Sequence, residues 1–173
     1  PEVAQVLFPD VPELHSGILQ AYSEHYVEHS KGDVWFDGVA EMLQDLAAQG
    51  IQLAVATGKS RKGLDRVLAQ TQSNELFVAT RAASETKSKP DPLMLSQILT
   101  VVGVDPEQAI MVGDTSYDLE MARNMKMPRV GVSYGVHTRQ TLQQFSPLAI
   151  VDDIAALHGF LNQCIQTKTA INF

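Results

Sequence analysis

The sequence predicts an α/β protein in which a parallel β-sheet lies between layers of helices on both faces. Two observations predict this fold class. Short apolar runs alternate along the chain with segments of helical periodicity, and each apolar run is continuous instead of alternating with polar residues. Continuous apolar strands are typical of parallel sheets that are buried on both faces, and helices are their usual connections.

Size and composition support a folded domain and exclude several classes of protein. The chain has 173 residues, 45% hydrophobic and 19% charged, which is enough for one sizeable core. A formal charge of −7 disfavours nucleic acid and anionic membranes as partners. The single cysteine, Cys164, cannot form an internal disulfide and indicates a reducing compartment. With no apolar run of about 18 residues, we expect a cytoplasmic protein without a membrane partner.

The first predicted element is a helix over residues 13–29. Its apolar side chains recur at the spacing of an amphipathic helix, and they are Leu14, Ile18, Leu19, Tyr22 and Tyr26. A polar turn at Lys31–Asp33 separates this segment from the alternating body of the chain. We therefore expect two parts, residues 1–33 and residues 34–173.

The body of the chain repeats one order of elements. A helix over residues 39–47 ends at Gly50, since glycine is typical of helix C-termini. The apolar run at 51–56, the turn Thr57–Ser60 and the helical pattern at 63–70 predict a strand, a loop and a helix. The same patterns then predict strands at 76–79, 109–112, 129–132 and 149–151 and helices at 93–102, 117–125 and 154–165.

Residues that suit an anion follow the first strand of the body. Ligands of parallel sheets bind beyond the carboxyl ends of the strands. Thr57 offers a hydroxyl there, and Gly58 offers a backbone N–H that no side chain obstructs. Both residues precede a helix N-terminus, which favours a bound anion. Capping of that helix is the alternative role, because threonine and serine are ordinary N-cap residues.

Lys89 is the second candidate, and it stands directly before Pro90. A proline disfavours the helical conformation of the residue before it, so the lysine is carried on a loop of restricted shape. Its ammonium can therefore be directed at an anion. A solvated loop lysine, followed by a proline that begins a helix, is the alternative.

Asp114 and Asp118 are the third candidate. Asp114 follows a buried strand, and Asp118 comes four residues later at the start of a helix. Two carboxylates in this arrangement can face one point, which suits a hard cation such as Mg²⁺. The alternative for Asp118 is a capping box with Thr115, since the two residues have the required spacing.

Together these three motifs resemble motifs two, three and four of the haloacid dehalogenase superfamily. The sequences of residues 34–60 and 112–135 resemble its phosphoglycolate phosphatase-like branch. The resemblance covers residues 34–157, and residues 1–30 resemble the second part of that branch's helical cap. It implies a three-layer, Rossmann-like core in residues 34–173, preceded by a partial helical cap in residues 1–33.

The resemblance also implies a reaction and roles for the residues. In the superfamily a carboxylate attacks the phosphorus, and water then cleaves the aspartyl-phosphate. Asp114 is implied as a Mg²⁺ ligand, and Asp118 as a ligand through water or an orienting group. Lys89 is implied as the charge clamp between nucleophile and phosphate, and Thr57 with Gly58 as phosphate donors. We therefore expect a Mg²⁺-dependent phosphatase that acts on a small phosphorylated metabolite.

The first motif of the superfamily, a strand ending in Asp-x-Asp-Gly-Thr that carries the nucleophile, does not occur in this sequence. Asp37-Gly38 lacks the second acid and the threonine, so Asp37 is not taken as the nucleophile. That strand is central in the family, so its absence is expected to leave the strands at 53–56 and 109–112 without a shared neighbour. We expect about 40–50 further N-terminal residues in the working protein, and no activity from these residues alone.

Two other functions stay open at this point. A protein that truly lacks the first motif would be a catalytically silent phosphate-binding or scaffold protein. A dehalogenase on the same fold is disfavoured, because Asp114 and Asp118 supply the carboxylates that a Mg²⁺-dependent phosphatase needs. Neither the individual substrate nor the oligomeric state follows from the sequence, because a fold does not select a metabolite.

Overall fold

The computed structural model divides the chain into two units, Pro1–Asp33 and Val34–Phe173. It describes residues 7–18, 20, 21, 25 and 35–171, with side chains to residue 167. In the first unit a 3₁₀ turn at Pro12–Leu14 precedes helical residues at 15–18, 20, 21 and 25. The rest of the helix predicted over 13–29 lies outside the described residues. None of the described helices is both long and apolar enough to cross a membrane.

The second unit alternates helices and strands, as the sequence predicts. Its helices are α1 (Val39–Ala48), α2 (Arg61–Gln70), α3 (Leu93–Val102), α4 (Ser116–Asn124), α5 (Arg139–Gln143) and α6 (Ile154–Ile171). Its strands are β1 (Leu53–Thr57), β2 (Phe77–Ala82), β3 (Met111–Gly113), β4 (Arg129–Val132) and β5 (Ala149–Val151). A 3₁₀ turn at Pro106–Gln108 leads into β3. The α/β fold class is therefore confirmed.

Local sequence explains where several helices begin and end. Ser60 caps α2, because its hydroxyl accepts a hydrogen bond from the backbone N–H of Gly63 at 3.2 Å. Helices α1 and α3 end before glycines in the left-handed conformation, Gly50 at φ 81° and Gly103 at φ 78°. These glycines give the clear stop signals that the sequence shows.

Two elements differ from their predictions. Helix α5 is not predicted, because five residues are too few for an apolar period; its signal is the N-cap Thr138, whose hydroxyl accepts from the backbone N–H of Thr141 at 3.3 Å. Strand β2 continues to Ala82, beyond its predicted end at residue 79, since its pairing with β1 extends to Thr57↔Ala82. Polar residues in the second half of β2 conceal it from a search for apolar runs.

The strands form two parallel sheets. One contains β1 and β2, and the other has the order β3-β4-β5. The pairing of β3 with β4 runs from Met111↔Arg129 to Gly113↔Gly131. Among the described strands, β1 and β3 therefore form an edge of their own sheets and share no ladder hydrogen bond. This is the arrangement expected for a sheet in which a shared neighbour of β1 and β3 is missing, and we call the space between them the strand gap.

Helices pack on both faces and connect the two sheets. On one face, α1 and α6 pack against β4 and β5, and Leu53 of β1 and Val112 of β3 join the same cluster. On the other face, α3 and α4 form a cluster that includes Ala56 of β1 and Met111 of β3. Helix α2 packs against β1 and β2. Because both edge strands contact both helical layers, the two sheets together form the middle layer of a three-layer structure.

Candidate active site

The loop after β1 carries Thr57 and Gly58, the predicted phosphate donors. The hydroxyl oxygen of Thr57 accepts a hydrogen bond from the backbone N–H of Lys59 at 3.1 Å, which leaves the hydroxyl hydrogen for a ligand. A Cβ at Gly58 would meet no described atom within 4 Å, so the space beside its Cα is open to a ligand. Ser60 caps the following helix. Capping therefore does not account for Thr57.

Lys89 spans the strand gap at its carboxyl end. Its ammonium donates to the carbonyl oxygen of Ala56 in β1 at 3.0 Å and to Oδ1 of Asp118 in α4 at 2.5 Å. The Lys89 side chain is 17% exposed, so it is not a solvated loop lysine. An ammonium has three N–H bonds, and the described residues account for two of them. The remaining one is a donor for a ligand.

Asp118 lies in the first turn of α4, and its two carboxylate oxygens have different partners. Oδ1 accepts from Lys89, while Oδ2 accepts from the hydroxyl and the backbone N–H of Thr115 at 2.7 and 3.2 Å. The Thr115 hydroxyl accepts in turn from the backbone N–H of Asp118, which completes a capping box. A Cβ at Gly113 would lie 2.3 Å from the Asp118 Cβ, so only glycine allows this approach. Asp118 is therefore a buried capping residue that also orients Lys89.

Asp114 follows β3, and the loop after β4 holds it. Its Oδ2 accepts a hydrogen bond from the backbone N–H of Val136 at 2.9 Å, and its carbonyl oxygen accepts from the backbone N–H of His137 at 3.1 Å. Gly135 makes this approach possible, because a Cβ there would lie 2.2 Å from the Asp114 Cβ and 2.4 Å from Oδ2. The Asp114 carboxylate is therefore held in a fixed position at the end of β3.

These contacts connect the predicted site residues. Lys89 and Asp118 are in direct contact, and Thr57 follows Ala56, the residue whose carbonyl accepts from Lys89. Asp114 stands four residues before Asp118, at the carboxyl end of β3. A continuous series of contacts therefore runs from the end of β1 to the end of β3, across the strand gap.

The sequence patterns do not reveal how much the loop after β4 contributes. This loop holds Asp114 in place through the space at Gly135 and the hydrogen bond from the backbone N–H of Val136. Nδ1 of His137 accepts a hydrogen bond from the backbone N–H of Ser116 at 2.9 Å. The His137 ring lies 5.9 Å from that of Tyr117, measured between centroids. A glycine shortly after the end of a strand was the available signal, but it gives no indication of which side chain needs the space.

The surroundings of this loop are acidic. The pKa of Tyr134 is raised because burial disfavours the phenolate and because Asp153 and Asp114 repel it. The ring of Tyr134 meets the exposed ring of Phe36 edge to face, with centroids 5.5 Å apart. Tyr134 is therefore a neutral phenol at physiological pH, beside a surface that favours a cation.

The donor set fits a Mg²⁺ ion held at Asp114. A carboxylate is a hard oxygen ligand, and the hydrogen bond to Oδ2 leaves Oδ1 for a cation. Both oxygens of Asp118 are engaged, so its contacts are those of an orienting group, and its role toward a metal stays a prediction. Within the described part of the chain, no group of three or more His, Cys, Asp or Glu is arranged around a metal position. Mg²⁺ commonly binds one or two carboxylates and completes its shell with substrate oxygens and water.

The chain is similar to a known family in both sequence and fold. A family model described as haloacid dehalogenase-like hydrolase matches residues 5–132. The crystal structure of a predicted phosphoglycolate phosphatase from Haemophilus somnus 129PT superposes with a TM-score of 0.77 at 26% identity, covering 87% of this chain and 68% of the other. The Rossmann-like architecture expected from the sequence is thus confirmed.

Curated relatives are longer than this chain. A phosphoglycolate phosphatase of Pseudomonas putida is 29% identical over 154 residues, which cover 88% of this chain and 56% of the relative. The probable phosphatase IndB of Dickeya dadantii is 35% identical over 138 residues, which cover 78% of this chain and 59% of the relative. The chain therefore spans somewhat more than half the length of these relatives.

Proposed function

Because this chain belongs to the haloacid dehalogenase-like hydrolases, we propose that it carries the phosphate-binding part of a Mg²⁺-dependent phosphatase. The position of the Lys89 side chain is the observation that carries this proposal. It places a partly buried ammonium between β1 and Asp118, at the carboxyl end of the strand gap. Thr57 and Gly58 add donors on the β1 side, and Asp114 adds a carboxylate on the β3 side. Donors for a phosphoryl group and a ligand for a divalent cation thus lie around one gap.

The nucleophile in this proposal is a carboxylate on a strand that fills the gap, from an N-terminal segment outside these residues. Such a strand would pair with both β1 and β3, and its carboxyl end would lie beside Lys89 and Asp114. Buried backbone groups without partners cost about 1–3 kcal/mol each, which favours a filled gap. The greater length of the relatives supports the same proposal.

The proposed reaction has two steps, and the residues of this chain would bind and stabilise the phosphoryl group during both. The nucleophilic carboxylate forms a bond to phosphorus as the bond from phosphorus to the ester oxygen breaks, and the second acid of the first motif would protonate the departing alcohol. Water then cleaves the aspartyl-phosphate to phosphate and the free carboxylate. Lys89, the Thr57 hydroxyl and the Gly58 N–H donate to the phosphoryl oxygens, whose charge is spread in the transition state. Asp118 orients the Lys89 ammonium through the hydrogen bond to its Oδ1. Mg²⁺ bound at Asp114 would supply further positive charge near the transferred group.

The substrate proposed is a small phosphate monoester, and 2-phosphoglycolate is the first compound to test because relatives carry that name. Residues 1–33 are proposed as part of a helical cap that selects the substrate. Caps and lids of this kind exclude water and complete the site around a bound substrate. A small metabolite as substrate and a single cysteine, Cys164, favour a cytoplasmic location.

Turnover by the full-length protein tests this function. We expect hydrolysis of p-nitrophenyl phosphate and 2-phosphoglycolate with Mg²⁺ and little hydrolysis with EDTA. Asp114→Asn should lower Mg²⁺-dependent kcat by about 100- to 1,000-fold, as for the loss of a charge-stabilising group. Asp105→Asn is the matched control, since Asp105 caps the 3₁₀ turn before β3 and asparagine is an equally good cap.

Three outcomes would contradict the proposal. Phosphate binding without turnover would identify a catalytically silent phosphate-binding protein. Full activity of Asp114→Asn would remove the assigned role of that carboxylate. The third outcome concerns the strand gap. The intact mass of the native protein should be greater than the mass of these 173 residues. An equal mass, together with cooperative unfolding, would show that no further strand is needed.

A further inference from the structure

Two loops at the carboxyl edge are joined by contacts that the proposed chemistry does not use. The backbone N–H of Ala83 donates to the carbonyl oxygen of Lys59 at 3.0 Å, and the backbone N–H of Arg61 donates to the Ser84 hydroxyl at 3.0 Å. The Arg61 guanidinium donates two parallel hydrogen bonds to Glu85, from Nε to Oε1 at 3.0 Å and from Nη2 to Oε2 at 2.6 Å. We call this side-chain pair the Arg61–Glu85 clasp.

Strand β2 holds both members of the clasp. Oε2 of Glu85 also accepts from the backbone N–H of Ala82 at 2.9 Å. The Arg61 guanidinium also donates to the hydroxyl of Thr80, at 3.1 Å from Nη1 and 3.2 Å from Nη2. The hydrogen bonds from Arg61 and Ala82 lower the pKa of Glu85 to about 2. The clasp is therefore charged and fixed in orientation at physiological pH.

The loops that the clasp joins are those that carry the proposed phosphate ligands. Thr57 and Gly58 lie at the start of the first loop, and Lys89 lies four residues after Glu85 on the second. We propose that Arg61 and Glu85 are positioning residues that set the spacing between the Thr57–Gly58 donors and the Lys89 ammonium. This inference rests on the proposed function of that site and assigns the pair no contact with substrate.

Stabilisation of the fold does not account for this arrangement. The side chains of Arg61 and Glu85 are 32% and 37% exposed, and ion pairs at such exposure contribute little to folding stability. A planar guanidinium that makes two parallel bonds fixes both distance and angle, which a lysine ammonium does not. Displacement of a catalytic group by about 1 Å can lower a rate by about 100-fold. The contribution of the clasp is therefore to fix the distance and angle between the two loops.

Asp65 provides a matched control for the experiment. It is the second carboxylate partner of Arg61, at 3.1 Å and four residues further along α2. Glu85 joins Arg61 to the other loop, whereas Asp65 joins it only to its own helix. Asp65→Asn therefore removes a similar ion pair from the same guanidinium without releasing the second loop.

Kinetics and hydrogen exchange of the full-length protein test the inference, at temperatures well below the Tm of each variant. Glu85→Gln is expected to lower kcat/KM for p-nitrophenyl phosphate about tenfold. Arg61→Lys should have a similar effect, because it keeps the charge and loses the paired geometry. Asp65→Asn should remain close to the parent protein. Amide exchange should become faster at residues 57–61 and 83–89 in Glu85→Gln, and should stay unchanged in Asp65→Asn.

Equal kcat/KM in Glu85→Gln and Asp65→Asn would overturn the inference, as would a loss of activity without faster exchange in the two loops. Full activity in Arg61→Lys would show that charge suffices and that the paired geometry is not used. If the parent protein binds phosphate but does not turn over, the proposed function fails separately. Calorimetric titration with inorganic phosphate then replaces kinetics: weaker binding by Glu85→Gln alone supports the inference, and unchanged binding overturns it.

Discussion

The two sheets present opposite chemistry at their carboxyl ends. The carboxyl ends of β1 and β2 and the segments after them carry hydrogen-bond donors and cations, namely Thr57, Gly58, Arg61 and Lys89, and the carboxylate of Glu85 there is paired with Arg61. The loops after β3 and β5 and the first turn of α4 carry carboxylates, namely Asp114, Asp118, Asp152 and Asp153. A phosphoryl group needs the first set and a divalent cation needs the second. Neither sheet therefore supplies the proposed site alone, and the two sets meet at the Lys89–Asp118 pair.

The two sheets also hold their functional groups in different ways. On the β1–β2 side, side chains such as Arg61 and Glu85 fix the loops through hydrogen bonds. On the β3–β5 side, Asp118 packs directly against the backbone of Gly113, and Asp114 packs against that of Gly135. A hydrogen bond can be removed at small steric cost, whereas an added Cβ at these glycines must displace a carboxylate. Substitutions on the two sides should therefore differ in the size of the loss that they cause.

Gly135→Ala should have the largest effect of the substitutions that test this difference. The new Cβ would lie 2.2 Å from the Asp114 Cβ, so the carboxylate must move. We expect kcat/KM of the full-length protein to fall about 100-fold. Gly159→Ala in α6 is the control, because its Cβ would meet no described atom within 4 Å. It should keep activity and raise helix stability by about 0.5–1 kcal/mol. Parent-like activity of Gly135→Ala would show that Asp114 has room to shift.

Lys89→Met tests the junction between the two sheets and should have an intermediate effect on stability. It leaves the Asp118 side chain, only 7% exposed, without its cation. Removing one member of a buried ion pair is costly, and we expect a loss of about 2–3 kcal/mol in the free energy of unfolding. Denaturant unfolding at neutral pH measures it. The loss in the double variant Lys89→Met/Asp118→Asn should be smaller than the sum of the losses in the two single variants, and additive losses would show that the pair is not coupled.

Glu85→Gln should have the smallest effect on stability, and that effect should depend on pH. The pKa of Glu85 is about 2 in the folded protein against an ordinary value of 4.5, so the unfolded chain takes up the proton first as the pH falls. The stabilisation by the ionised carboxylate is therefore complete above pH 4.5 and is lost as the pH falls toward 2. We expect a difference of about 0.5 kcal/mol at neutral pH that shrinks in acid. Unfolding measured at a series of pH values checks this, and a difference that does not vary with pH would contradict it.

Prediction from the sequence succeeded where the signal is local. Helix α3 has the predicted bounds, because an apolar helical period ends at a glycine. The same patterns failed for α5, which is too short for a period, and for the end of β2, where pairing with β1 extends the strand through polar residues. The lack of a shared neighbour for the strands at 53–56 and 109–112 was predicted from the family resemblance, because the superfamily's first motif, which forms the central strand, does not occur in this sequence.

The order of strands and helices, the family likeness and the residue types at the strand ends could all be read from the sequence alone. These follow from short-range periodicity, capping and spacing along the chain. Only the folded structure shows that both oxygens of Asp118 are engaged, that Gly135 makes room for Asp114, and that Arg61 joins two loops through Glu85. Such contacts depend on the packing of segments distant in sequence and on backbone approach within a few ångströms, which no local pattern specifies.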